Sequence, residues 1–192
     1  MHRLFVAIRP PASIREQLLD VMEGVLSARW QEDEQLHLTL RFIGDVERHQ
    51  AEDIASALGA IRHPSFDIRL SGIGSFAKRG KGSLWAGLAP TDQLHALHAK
   101  VDQACKRAGV APDTRAYHPH ITIARIGRDT AALEPFLLRW SALSSPAFQA
   151  DDFRLYESHL GSTGATYETI ARYPLLDVQA PSCSSNRSTS PP

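Results

Sequence analysis

Residues 37–44 read HLTLRFIG and residues 120–127 read HITIARIG, so nearly the same eight letters occur twice in the chain. Each copy begins with histidine, has threonine two positions later and ends in Ile-Gly. Apolar residues alternate with other residues in both copies, which predicts a β-strand with one buried face that ends near the glycine. These two copies decide the fold prediction, because similar elements follow both of them.

The segments that follow the two copies predict the same order of elements: helix, strand and strand. The second copy starts 83 residues after the first, which is too long for a solenoid repeat and typical of two half-domains. We therefore predict a duplicated α+β fold with mostly antiparallel pairing. The periodicity predicts helices over 13–25, 47–61, 92–108 and 130–140, and strands over 4–8, 36–43, 66–76, 84–88, 120–126, 148–158 and 166–173.

The charge of the chain is balanced, with 21 Lys and Arg residues against 21 Asp and Glu residues. Because net charge governs association, this chain has no general attraction for nucleic acid or membranes. A local patch would have to hold any polyanionic ligand, which argues against a general nucleic-acid coat and leaves open an enzyme that acts on one end of a strand. The two cysteines, Cys105 and Cys183, have no zinc-site spacing and predict no disulfide.

The two ends of the chain predict a soluble, cytoplasmic protein with a short tail. Pro10 and Pro11 stop the N-terminal apolar run too early for a signal peptide, and no segment approaches the roughly 20 apolar residues of a membrane span. From residue 180 the chain reads APSCSSNRSTSPP, which has no aromatic or large aliphatic anchor. We expect one domain over 1–178 and a disordered Ser/Pro-rich tail over 179–192.

The two His-x-Thr pairs are the candidate functional residues. On a strand, residues two apart point to the same face, so His37 and Thr39 project together, and so do His120 and Thr122. A single His-x-Thr on a sheet usually has no function. Two copies at equivalent places can face one cleft if the half-domains pack about a pseudo-two-fold axis.

Two imidazoles on either side of a phosphate can act as general base and general acid, because their pKa values lie near neutrality. Threonine hydroxyls can donate to non-bridging phosphate oxygens and stabilise the charge of the transition state. Water or a neighbouring ribose hydroxyl would attack phosphorus. This chemistry needs neither a metal ion nor a covalent nucleophile.

The paired motifs resemble those of the two-histidine (2H) phosphoesterase superfamily. The stretches HLTLRFIG, SLWAGL, HPHITIAR and FRLYESHLG resemble its bacterial branch, the RNA 2′,3′-cyclic phosphodiesterases, also called 2′-5′ RNA ligases. The resemblance covers about residues 3–176, almost everything but the tail. It implies a bilobal fold, in which two pseudo-symmetric lobes with largely antiparallel sheets and flanking helices surround a central cleft.

The resemblance also implies an activity, the hydrolysis of a terminal RNA 2′,3′-cyclic phosphate to a 2′-phosphomonoester without a metal or other cofactor. By position, His37 would protonate the leaving 3′ oxygen and His120 would activate water. Thr39 and Thr122 would hold phosphate oxygens, and Arg125 would add positive charge. Strand parity alone points Arg125 away from His120, so a β-bulge or the end of the strand would have to re-aim it.

Other residues have a functional and a structural interpretation. Arg41 shares parity with His37 and is either in the cleft or solvated. His118 forms His-x-His with His120, a possible metal site, although the motif has no Asp or Glu and a metal leaves the threonines unexplained. Three aromatic residues either stack on a base or pack in the core, namely Phe5, Trp85 and Tyr156. One basic loop either follows an RNA backbone or is solvated, and it contains Lys78, Arg79 and Lys81.

Three functional hypotheses follow. The first is a cyclic phosphodiesterase that acts on RNA ends or small cyclic nucleotides, or the same chemistry reversed to ligate RNA through a 2′-5′ bond. The second is a non-catalytic RNA- or nucleotide-binding module. The third is a metal hydrolase that uses His118 and His120. In the first case we expect a monomer with no membrane association and no obligate protein partner.

Overall fold

The structure of the protein is a computed structural model, which describes residues 1–78, 81–128, 130–161 and 164–177. The tail predicted over 179–192 lies outside the described residues, and so does Cys183. Arg79 and the side chain of Lys78 also lie outside them.

Ten strands and four α-helices make up the fold of the described residues. The strands are His2–Ile8 (β1), Arg29–Trp30 (β2), Leu38–Val46 (β3), Phe66–Ile68 (β4), Leu70–Lys78 (β5), Lys81–Leu88 (β6), His120–Ile126 (β7), Phe148–Ala150 (β8), Asp152–Leu160 (β9) and Ala165–Pro174 (β10). The helices are Ala12–Val21 (α1), Arg48–Gly59 (α2), Asp92–Arg107 (α3) and Glu134–Arg139 (α4), and a short 3₁₀ turn covers Asp33–Gln35.

Some predicted bounds were wrong, for local reasons. The predicted helix over 130–140 is only α4, because Pro135 has no amide hydrogen to donate and fits only the first turn. The first helix stops at Val21, three residues before Gly24, whose φ of +80° is left-handed. It begins at Ala12, after Pro11 at the N-cap. Strand β2 was not predicted, because two residues give no periodicity.

The strands predicted over 66–76 and 148–158 each divide in two. Their first parts, β4 and β8, leave the main sheet and pair with each other. Their second parts join the main sheet, β5 at one edge beside β6 and β9 between β10 and β1. The duplication read from the sequence therefore extends to the breaks between strands.

One antiparallel sheet runs in the order β10-β9-β1-β3-β7-β6-β5, and β2 also pairs with β7. The strands that carry the two motifs, β3 and β7, are neighbours at its centre. Leu38 and Ile121 form the one ladder pair recorded between them, whereas β1 and β3 pair along most of their length. The sheet thus consists of two half-sheets, β10-β9-β1-β3 and β7-β6-β5, which meet at the two motifs.

The main core lies on the face of the sheet that the helices cover. Val6 and Leu38 of the sheet and Leu58 and Leu97 of the helices are buried in one apolar cluster. On the opposite face, which we call the open face, Phe5 forms a small separate cluster with Ala7 and Tyr156. No helix in the described parts of the chain is both long and apolar enough to cross a membrane.

Candidate active site

The first motif lies at the start of β3, where the predicted alternation is observed. Leu38 and Leu40 are buried in the core, whereas His37 and Thr39 are partly exposed. Thr39 pairs with Ala7 in the β1–β3 ladder, and cross-strand partners share a face. The histidine and threonine of the first motif therefore lie on the open face.

The second motif repeats this arrangement at the start of β7. Ile121 and Ile123 are buried, and His120 and Thr122 are partly exposed. Because β3 and β7 are central neighbours, the two His-x-Thr pairs come together from the two half-sheets.

Both catalytic candidates make the same backbone hydrogen bond. The Nδ1 atom of His37 lies 2.7 Å from the carbonyl oxygen of Gln35, and the Nδ1 atom of His120 lies 2.7 Å from the carbonyl oxygen of His118. A carbonyl oxygen only accepts, so each Nδ1 carries the hydrogen and donates it. In the neutral ring Nε2 then keeps a free lone pair, and in the charged ring Nε2 carries a proton that it can give away.

A β-bulge re-aims Arg125, as strand parity required. In the ladder with β6, Trp85 pairs with Thr122 and Leu84 pairs with Ala124, so Ile123 is the extra residue. Ile123 and Ala124 are both buried, and Arg125 returns to the open face with the threonine of its motif.

The first motif has the same bulge, and it sends Arg41 to the helix-covered face. Ala7 pairs with Thr39 and Val6 pairs with Arg41, so Leu40 is the extra residue. Arg41 is only 4% exposed, and its guanidinium contacts Asp102 and Asp113 as well as the carbonyl of Ala111. The interpretation of Arg41 as a solvated residue was wrong. Arg41 borders the cleft between the two motifs, but its guanidinium is held in ion pairs with Asp102 and Asp113.

One cavity of about 630 Å³, which we call the first cavity, contains all five predicted site residues. Both histidines, both threonines and Arg125 line it. The sequence analysis missed further aromatic residues of its wall, of which Phe42 and Phe76 are 44% and 42% exposed. Phe42 holds the position in the first motif that Arg125 holds in the second, which is the signal that could have found it.

Burial lowers the proton affinity of both histidines. The ring of His37 packs 4.8 Å from that of Phe5 and 5.2 Å from that of Tyr167, and this burial lowers the pKa of His37 to about 4. The hydrogen bond to Gln35 opposes that shift, and the charges of Arg125 and His120 add to it. Burial also lowers the pKa of His120 below its ordinary value.

The predicted stacking residues divide between two roles. Phe5 lines the first cavity under His37. Tyr156 packs behind Phe5, with ring centroids 5.1 Å apart. Trp85 packs against His118, with ring centroids 4.8 Å apart. Tyr156 and Trp85 therefore support the wall from behind.

The histidines of the His-x-His sequence lie side by side, with ring centroids 6.2 Å apart. Among the residues that the structure describes, no group of three or more His, Cys, Asp or Glu side chains is arranged to hold a metal ion. The pair of His118 and His120 thus has no third ligand of this kind among those residues.

Comparison with known proteins identifies the family. The sequence profile of the 2′-5′ RNA ligase superfamily matches residues 10–162. The chain belongs to this superfamily. Its relatives in the superfamily include two proteins named RNA 2′,3′-cyclic phosphodiesterase. The protein from Archaeoglobus fulgidus is 30% identical over 88% of the chain and 97% of its own length. The protein from Escherichia coli K12 is 29% identical over 90% of the chain and 96% of its own length. A relative of the same name from Geobacillus stearothermophilus is 33% identical over 90% of the chain, which spans 57% of that protein.

Solved structures of superfamily proteins agree with the fold. The apo crystal structure of E. coli LigT matches with a TM-score of 0.75 at 27% identity, over 91% of the chain and 98% of LigT. The structure of LigT with 3′-AMP matches with a TM-score of 0.76 at 26% identity, over the same shares of the two chains. The predicted family and the α+β fold with mostly antiparallel strands are confirmed.

Proposed function

We propose that the chain hydrolyses the terminal 2′,3′-cyclic phosphate of RNA to a 2′-phosphomonoester, without a metal ion. The observation that carries this proposal is the matched pair of His37 and His120. Each donates Nδ1–H to a backbone carbonyl and keeps Nε2 for chemistry, and both line one cavity with two threonines and an arginine. The relatives named RNA 2′,3′-cyclic phosphodiesterase support the choice of substrate.

The proposed reaction is a displacement at phosphorus. The Nε2 atom of His120 takes a proton from water as the water oxygen bonds to phosphorus. The bond between phosphorus and the 3′ oxygen breaks, and the Nε2–H of His37 gives its proton to that oxygen. Thr39 and Thr122 donate to the non-bridging oxygens, and Arg125 balances their charge. Solvent then restores the starting protonation of both rings.

His37 must gain a proton when the substrate binds, because its pKa in the free protein is low. At about 4 in the free protein, this pKa leaves His37 neutral at pH 7, whereas the proposed donor must be charged. An anionic phosphate between the two rings favours the charged imidazole and raises its pKa. The substrate itself would therefore prepare the acid.

The decisive experiment uses purified protein in EDTA with a cyclic mononucleotide and a short RNA that ends in a 2′,3′-cyclic phosphate. We expect hydrolysis by the wild type and losses of roughly 10²–10⁴-fold for His37→Ala and for His120→Ala. His49→Ala, on the exposed face of α2, is the matched control and should retain activity. Loss of activity in EDTA, or full activity in either active-site variant, would refute the mechanism. RNA binding without turnover would indicate the binding module.

A sulfur leaving group separates the two roles. A cyclic substrate with sulfur in place of the 3′ bridging oxygen expels a thiolate, which needs no proton. His37→Ala should therefore lose far less activity on the sulfur substrate than on the oxygen substrate, whereas His120→Ala should lose activity on both. The opposite pattern would exchange the acid and the base.

The superfamily name favours a test of ligation, in which a 5′ hydroxyl takes the place of water in the same displacement. Attack by the 5′ hydroxyl of a second RNA on the cyclic end would use the same groups and leave a 2′-5′ bond. Ligation products that resist a nuclease specific for 3′-5′ bonds would establish it.

We also propose that the protein is a cytoplasmic monomer with no obligate partner, and that residues 1–178 form its active unit. Sedimentation should give the mass of one chain, and fractionated cells should contain the protein in the cytoplasm. A variant that ends at residue 178 should keep the activity of the full chain.

A further inference from the structure

A second cavity of about 700 Å³ adjoins the first one on the open face. Ser83 and Arg125 line both cavities, so the two meet at these residues. Arg29 and Lys81 line the second cavity only. No acidic residue is among the described residues of its wall.

The register of three strands sets two of these cations side by side. Arg29 of β2 pairs with Arg125 of β7, and Arg125 pairs with Ser83 of β6. Cross-strand partners project from the same face, so the three side chains form a row with about 4.5–5.5 Å between neighbouring Cα atoms.

This row is costly for the folded sheet unless an anion lies beside it. Like charges directly opposite each other on a sheet are destabilising. Arg41 and Arg154, elsewhere in the sheet, are each paired with a carboxylate. Among the described residues, Arg29 and Arg125 have no such partner. An anion bound in the second cavity would relieve the repulsion between Arg29 and Arg125, because both cations line that cavity.

We propose that the second cavity binds a phosphodiester of the RNA strand upstream of the cyclic end, through Arg29 and Lys81. This rests on the proposed function. The cyclic phosphate is the 3′ terminus, so every other phosphate of the substrate lies on its 5′ side. With the cyclic phosphate between the histidines, Arg125 lies in the same cavity, and Arg29 and Lys81 line the second cavity, which shares Arg125. The other guanidiniums of the first cavity, those of Arg41 and Arg115, are held in ion pairs with Asp113. The substrate class is then an oligonucleotide with a cyclic end, in preference to a cyclic mononucleotide.

The test compares two substrates, a cyclic mononucleotide with no other phosphate and a trinucleotide with a 2′,3′-cyclic end. In the double variant Arg29→Gln with Lys81→Gln, the ratio of kcat/KM for the trinucleotide to kcat/KM for the mononucleotide should fall about 10-fold. With fewer phosphate contacts, binding of the trinucleotide releases fewer counterions and is therefore weaker. The dependence of log kcat/KM on log salt should become shallower by about 0.7 per lost contact. Arg48→Gln removes an exposed cation of α2 and should leave both substrates unaffected.

An unchanged ratio in the double variant, with a wild type that hydrolyses both substrates, overturns the subsite and leaves the proposed function intact. Binding tests the subsite without turnover. By fluorescence anisotropy, a labelled trinucleotide that ends in a 3′-phosphate should bind the double variant about 10-fold more weakly than the wild type, even if the wild type hydrolyses neither substrate. Equal binding overturns the proposal. Both varied side chains are exposed, so thermal melting should be unchanged.

Discussion

The Nη1 atom of Arg41 lies 3.1 Å from the Oδ2 atom of Asp113, which ties the strand of the first motif to the loop that leads into the second. The same guanidinium lies 3.3 Å from Asp102 of α3 and also donates to the carbonyl of Ala111. A side chain from the His37 strand therefore fixes the approach to His120.

Arg41→Met should lower the free energy of unfolding by about 2–3 kcal/mol, measured by urea denaturation. Removal of one partner of a buried ion pair costs about 3–5 kcal/mol when it leaves the other charge uncompensated. Here the cost is smaller, because Asp102 and Asp113 are 18% and 25% exposed to water. Asp102 also keeps its pair with Lys106, and Asp113 its pair with Arg115. The control is Arg48→Met, since Arg48 is 86% exposed in its pair with Glu52 and should cost less than about 0.5 kcal/mol. Equal losses in the two variants would contradict a special role for Arg41.

The neutral state of His37 predicts how stability depends on pH. Its pKa is about 4 in the folded protein, and a histidine in an unfolded chain has a pKa of about 6.5. Between these values the unfolded chain binds more protons, so the folded state loses stability as pH falls from 6.5 to 4. His37 should account for about 3 kcal/mol of that loss. Urea denaturation at several pH values should show a correspondingly flatter dependence for His37→Gln than for the wild type, and parallel curves would refute the assignment.

The same pKa values set the pH dependence of turnover. The profile of kcat/KM reports the free protein, in which the pKa of His37 is about 4 and that of His120 is below its ordinary value. Activity needs one neutral and one charged imidazole, so kcat/KM for a cyclic mononucleotide should peak between pH 4 and 6.5 and fall at higher pH. Tyr167→Ser, which opens the His37 ring to water, should move the acidic limb to higher pH. An optimum above pH 7 would contradict the burial effect.

Thr39→Val and Thr122→Val test the proposed oxyanion donors at nearly constant side-chain shape. Each should lower kcat by about 10²-fold with a smaller change in KM, because these hydroxyls are proposed to act most strongly on the charge of the transition state. Thr169→Val, on an exposed position of β10, is the matched control. A rise in KM alone would assign the threonines to ground-state binding.

The features that could be predicted from the sequence are those set by residues close together along the chain. Alternation gave the strands of both motifs and the shared face of His37 and Thr39, since that face follows from parity. The bulge at Leu40 was not predicted, and the bulge at Ile123 was predicted only as one of two ways to re-aim Arg125, because a bulge exists only relative to the partner strand. The burial of Arg41 likewise depends on carboxylates far along the chain.

The aromatic wall and the second cavity show the same limit. Phe76 of β5 reaches the ring of His120, with centroids 5.1 Å apart, only because the strand order brings β5 into the half-sheet of β7. Arg29 meets Arg125 through a two-residue strand that has no periodic signal. Long-range pairing decides both contacts, and one sequence read alone does not contain it.

Gly74 is required by the indole of Trp85, its partner in the β5–β6 ladder. A Cβ at Gly74 would lie within 3 Å of three ring atoms of Trp85, so Gly74→Ala must displace the ring that supports His118. Overpacking of this kind typically costs 1–3 kcal/mol, and we expect a loss of about that size together with a lower kcat/KM. Gly59→Ala is the control, because its Cβ would meet only Tyr173, at 3.7 Å, and should be neutral or stabilising.

A double-mutant cycle separates overpacking from a general weakness of the strand. In Trp85→Leu the smaller side chain leaves room for the new methyl group, so Gly74→Ala should cost much less in that background than in the wild type. The difference, measured by urea denaturation, is the coupling energy of the two positions, and contacting residues typically show about 0.5–3 kcal/mol. Additive losses would mean that Gly74 serves the backbone of β5 and not the ring of Trp85.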